Sequence, residues 1–135
     1  MNSKSLQTSS SLFLGISGIT LLFFPQELVQ IVYEGNSNAL FEIIIQLISA
    51  LFFGFAMLNW MSKTILMGGI YGKAIYVSNF THYSIGTLSL LRWGIKEDYF
   101  NYPLILVLII YTGFSLCYGL NFINNPTKLT SNNSF

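Results

Sequence analysis

The chain has 135 residues, of which 53% are hydrophobic and only 8% charged, and six basic against five acidic side chains leave a formal net charge of +1. Soluble domains carry about 25% charged residues, so this composition, with a mean hydropathy of +0.59, excludes an ordinary soluble globule. It also excludes a disordered chain and a nucleic-acid binder that works by phosphate neutralisation, which needs a dense basic patch. Cys117 is the single cysteine, so an internal disulfide and a cysteine-cluster metal site are excluded too. Lipid, unlike water, accepts an apolar surface, and the composition reads as an integral membrane protein.

The first apolar segment is 6–24, LQTSSSLFLGISGITLLFF, closed by Pro25. Lys4 and the apolar run after it resemble a thin signal peptide, but FFPQEL offers no small-residue cleavage site, so the segment reads as a retained span. Residues 25–38 place Leu28, Ile31 and Val32 at helical spacing, with Gln26, Glu27 and Gln30 on the other side. That pattern predicts a short helix lying in the membrane interface, followed by a turn at Gly35-Asn36-Ser37-Asn38. The second span is 39–61 and carries Glu42 near its start; Ser62-Lys63 makes a tight turn. The third, 64–91, is the most polar and contains Lys73, Asn79 and His82. A wet corner follows at 92–101, RWGIKEDYFN, and the fourth span, 102–124, begins with Pro103 in its first turn. Residues 125–135 read as a flexible, solvated tail. Each span supplies the roughly 20 helical residues that hydrocarbon requires, and none alternates as a barrel strand does. The expected fold is all-α: a transmembrane four-helix bundle with a short interfacial helix between spans one and two.

Orientation follows from the basic residues near the span ends. Lys4, Lys63 and Lys128, with Lys73 if span three starts late, share a side; Arg92 and Lys96 lie on the other. The balance favours a multi-pass plasma-membrane protein with both termini cytoplasmic. Aromatic residues near the span ends, among them Phe23, Phe24, Tyr33, Trp60, Trp93, Tyr99 and Tyr102, suit interfacial anchoring.

Small residues recur at close helical spacing: Ser11, Gly15 and Gly18; Ala50 and Gly54; Gly68 and Gly72, with Gly86 beyond; Ser115 and Gly119. In lipid such positions let helices approach until dispersion accumulates, so they are expected packing positions, inside the bundle or on a homodimer face. Polar groups within the spans cost energy unless paired or wetted. At about 1.5 Å per residue, Gln46 lies roughly 10 Å and His82 roughly 13 Å from the outer ends of their spans. Asn79 shares a face with His82, Tyr111 falls near the His82 level, and Glu42 lies one turn above Gln46 on the same face. Gln46, Asn79, His82, Glu42 and Tyr111 are therefore the candidate ligand-contacting residues. Helix-to-helix hydrogen bonding is the plainer use of the amides, and snorkelling that of Lys73.

No GxSxG, Walker, HExxH or CxxC pattern occurs, and one histidine with one cysteine cannot supply a metal site. No catalytic residue, metal or cofactor is expected. LFLGISGITLLFFPQELVQIVY, QLISALFFGFAMLNWMSK and GKAIYVSNFTHYSIGTLSLL, with Pro25, Gln46, Gly54, Asn59-Trp60, Asn79, His82 and Gly86, resemble small bacterial four-helix membrane proteins, broadly DoxX-like. That resemblance covers residues 6–124 and implies a compact bundle in the plasma membrane, with some relatives associated with redox or quinone-linked complexes. Its implication stops short of an enzyme activity, and the absence of a cysteine pair removes a thiol role.

The leading functional expectation is a non-enzymatic structural or accessory component that packs with itself or with another membrane protein, its other partners being membrane lipids. The alternative is a quinone or lipophilic-ligand site around Gln46, Asn79 and His82. A further alternative, a small proton-coupled transporter, would lean on Glu42, because span one holds no acidic residue.

Overall fold

A computed structural model describes residues 3–32, 39–65 and 70–124. These form five helices: α1 (Ser3–Phe23), α2 (Pro25–Val32), α3 (Ala39–Ser62), α4 (Ile70–Glu97) and α5 (Tyr102–Asn124). The protein is all-helical, with no strand among the described residues. The predicted turn at 35–38, Tyr33, Gly68 and the tail 125–135 lie outside the described residues. Helices α1–α3 make one compact unit, and α4 with most of α5 makes another.

Among the described residues, three helices are long and apolar enough to cross a membrane: Ser3–Phe23, Ala39–Ser62 and Tyr102–Ile123. Helix α4 is the longest but is not one of them. Lys73, Ser78, Asn79, Thr81, His82, Ser84 and Ser89 are spread along it and dilute its apolar character. The outer surfaces of α3 and α5 are almost wholly apolar, with Leu47, Leu51, Leu106, Ile109 and Leu116 among the exposed side chains, as a lipid-facing surface requires.

The break between α1 and α2 is a single residue wide. Phe24 N–H still reaches the Thr20 carbonyl at 3.0 Å, and Leu28 N–H reaches the Phe24 carbonyl at 3.2 Å. Pro25 has no N–H to donate and its ring obstructs the turn before it, so the helix is interrupted there and restarts with proline in its first turn. Gln26, Glu27 and Gln30 are exposed on α2. Gln26 Nε2 donates to Glu42 Oε1 at 3.0 Å, fastening α2 to the first turn of α3.

Helix α4 differs most from its expected span. Arg92–Glu97, read as part of a wet corner, continue the helix, because nothing between Leu91 and Glu97 breaks it. The stop is a Schellman cap: Asp98 is left-handed, with φ 49°, and Tyr99 N–H reaches back to the Gly94 carbonyl at 3.1 Å. Glycine is usual at such a position, and aspartate is among the few residues that tolerate it. The apolar contact that accompanies this cap is Trp93 against Tyr99, ring centroids 5.5 Å apart. Gly94 lets the corner fold back closely, since a Cβ there would sit 2.9 Å from the Phe100 ring. Lys96 Nζ lies 2.8 Å from Glu97 Oε1, and that hydrogen bond and charge hold its ammonium above the usual lysine range.

Candidate functional site

In the α1/α3 pair the helices are antiparallel, as three bonds show. Ser49 Oγ donates to the Gly18 carbonyl at 2.7 Å, Ser11 Oγ to the Ala56 carbonyl at 2.7 Å, and Asn59 Nδ2 to Ser10 Oγ at 3.0 Å. Moving toward the start of α1 thus moves toward the end of α3. Hydroxyl-to-carbonyl bonds between helices require close backbones, and Gly18 supplies the room. A Cβ on it would lie 3.2 Å from the Ser49 carbonyl oxygen and 3.3 Å from the Phe53 nitrogen. Gly15 faces Ala56 at ordinary contact distance. Gln7, Ser10, Ser11, Ser49, Asn59 and Ser62 are all buried, so this seam is polar at both ends and along its length.

The α4/α5 pair is also antiparallel but is filled by rings. Tyr83 stacks on Phe114 with centroids 4.9 Å apart and on Tyr118 at 5.8 Å. It meets Tyr111 edge-on at 5.3 Å, and Tyr76 meets Tyr118 likewise at 5.4 Å. His82 lies half-buried beside them, 5.1 Å from Tyr83 and 5.7 Å from Tyr111. Glycines make notches for these rings: a Cβ on Gly86 would fall 2.5 Å from Tyr111 Cε1, and one on Gly119 3.0 Å from Phe80 Cε2. Ser84 Oγ and Ser115 Oγ share a hydrogen bond of 2.8 Å.

Of the candidate ligand residues, His82 and Tyr111 come together, while Asn79 is buried with its amide donating to the Ile75 carbonyl of its own helix at 2.8 Å. Glu42 and Gln46 belong to the other unit; Glu42 accepts from Gln26, and Gln46 is half-buried. Among the expected packing residues, Gly15, Gly18, Gly86, Ser115 and Gly119 meet the neighbouring helix of their own unit, and Gly72 is buried. Ala50 and Gly54 are exposed, and nothing lies within 4 Å of a Cβ on Gly54.

Two groups escaped the sequence reading. Gln7, Ser10 and Ser49 read as parts of apolar spans and Ser62 as part of a turn, although Gln7, Ser11, Leu14 and Gly18 alternate by four and three residues as a packed seam does. Tyr76 and Tyr83 stand one heptad apart, as do Tyr111 and Tyr118, and that matching period was the available signal. No group of three or more metal-ligating side chains occurs among the described residues. No family model, curated protein or solved structure matches this chain.

Proposed function

We propose that this chain is a four-span plasma-membrane protein, broadly DoxX-like, that serves as a non-enzymatic accessory component of a membrane assembly. In this reading α1, α3, α4 and α5 cross as a bundle, α2 lies in the interface and both termini are cytoplasmic. Helix α4, at 28 residues and about 1.5 Å per residue, is long enough to cross. The observation that carries the assembly role is its exposed face. Ala74, Ser78, Thr81, Ile85, Ser89 and Arg92 are spaced by four, three, four, four and three residues and are exposed. This is the period of a helix-packing seam, and small and hydroxyl-bearing residues are what membrane helices present to one another. Acyl chains cannot hydrogen-bond to Ser78 or Thr81, whereas another helix can. A partner there also offsets the modest apolarity of α4.

The bond from Gln26 supports a fastening role for Glu42 rather than proton carriage, and the bond within its own helix supports a structural role for Asn79. His82 beside Tyr83 and Tyr111 is the one arrangement that favours the alternative, a quinone or lipophilic ligand held by rings. A photo-crosslinking amino acid at the position of Ser78 or Thr81, in native membranes, tests the assembly role. The expected result is a protein adduct from both positions and none from the lipid-facing Leu106 and Ile109. Adduct-free monomer at all four positions would overturn it.

A further inference from the structure

One helical turn beyond the Ser10–Asn59 bond, the α1/α3 seam carries a further pair of polar residues. Counting three residues toward the start of α1 reaches Gln7, and three toward the end of α3 reaches Ser62; the antiparallel arrangement puts them at the same level. Gln7 is 1% exposed and Ser62 2%. Gln7 Oε1 has no hydrogen-bond partner among the described residues. Ser62 Oγ spends its proton on the Asn59 carbonyl at 3.3 Å and keeps lone pairs that can only accept. With that proton committed, the Gln7 oxygen and the Ser62 oxygen both act as acceptors at this rung.

A buried amide oxygen left unpaired costs free energy comparable to a lost hydrogen bond, and more inside a bilayer, where bulk water is absent. The nearby cations do not meet the need: Lys63 Nζ sits 3.2 Å above the Trp60 ring, and the Lys4 side chain is exposed. A small donor with two protons suits both oxygens at once. We propose that one internal water bridges this rung, donating one proton to Gln7 Oε1 and the other to Ser62 Oγ. Buried waters commonly make roughly three such bonds, and this one clamps the end of the α1/α3 pair opposite to α2.

The test uses the full chain in lipid nanodiscs with nitrogen-labelled glutamine, the Gln7 side-chain amide being assigned from the signal that Gln7→Met removes. Magnetisation transfer from slowly exchanging water to that amide is expected in the wild type and is expected to be lost in Ser62→Ala. Asn59 side-chain resonances unchanged in Ser62→Ala would show that the adjoining Ser10–Asn59 rung is intact. Absence of the water signal in the wild type would overturn the proposal, as would its full persistence in Ser62→Ala or a direct bond from residues 66–69 to the Gln7 oxygen.

Discussion

The two helix pairs solve the same problem with opposite materials. Between α1 and α3 the contacts are made by backbone: serine on each helix donates to a carbonyl of the other, and glycine lets the chains close. Between α4 and α5 the contacts are made by side chains, with tyrosine and phenylalanine rings filling the gap and glycines acting as sockets. Lipid tails are as apolar as leucine, so no hydrophobic drive separates the two solutions; both rely on dispersion and hydrogen bonds. They differ in tolerance. A ring can be trimmed or turned, but a carbonyl within a helix cannot be moved without moving the helix.

Gly86→Ala should produce the larger effect. Its new Cβ would land 2.5 Å from Tyr111 Cε1, and that ring is hemmed in by Tyr83 and His82. Overpacking of this kind costs about 2 kcal/mol, readable as a loss of stability in reversible unfolding from lipid or mixed micelles. Because the obstacle is a side chain, Gly86→Ala combined with Tyr111→Val should recover much of the loss. Absence of rescue would mean that the α4/α5 pair is as rigid as its counterpart, and the contrast would collapse.

The matching change in the other pair is Gly18→Ala, where the added carbon meets the Ser49 carbonyl oxygen at 3.2 Å and the Phe53 nitrogen at 3.3 Å. The overlap is milder, and alanine gains about 1 kcal/mol of helix propensity over glycine in water-exposed hosts, so a net loss near 1 kcal/mol is expected. No trimming of a side chain should relieve it, since both obstacles are backbone atoms. Gly54→Ala is the control: with open space around the new carbon, it should leave stability unchanged or raised. Equal losses at Gly18 and Gly54 would show that glycine is not spacing the α1/α3 backbones.

The difference between the pairs also marks how far the residues alone could be read. Three apolar segments announced themselves through length and composition, and Pro25 marked the end of α1 because proline acts locally. The end of α4 was not legible at residue level: Arg92–Glu97 look like a solvated corner, and the cap depends on Asp98 taking a conformation that glycine usually fills. Gly15, Gly18, Gly86 and Gly119 were readable as packing positions, since a missing side chain has few other uses in a membrane helix. What each faces, backbone or ring, depends on the partner helix and is not carried by spacing alone. His82 and Tyr111 were placed at one level by counting rise per residue, and they do meet. Gln7 and Ser10 were hidden because a polar residue near the end of a span reads equally well as buried or as bathed in headgroups.

The smallest effect should come from Ser49→Ala. Its hydroxyl donates to the Gly18 carbonyl at 2.7 Å, but that carbonyl lies within α1, where the helix supplies its own N–H donor. Removing the serine proton therefore strands no acceptor, and the loss is only the bond itself. Such interhelical bonds average about 0.6 kcal/mol in membrane proteins. Ser11→Ala should cost a similar amount by the same reasoning, and the double variant should lose close to the sum, because the two bonds share no atom and lie on different rungs. A loss well above the sum would show that the bonds set the helix separation together. In that case the hydroxyls, rather than the glycine, would be what draws the α1 and α3 backbones into contact.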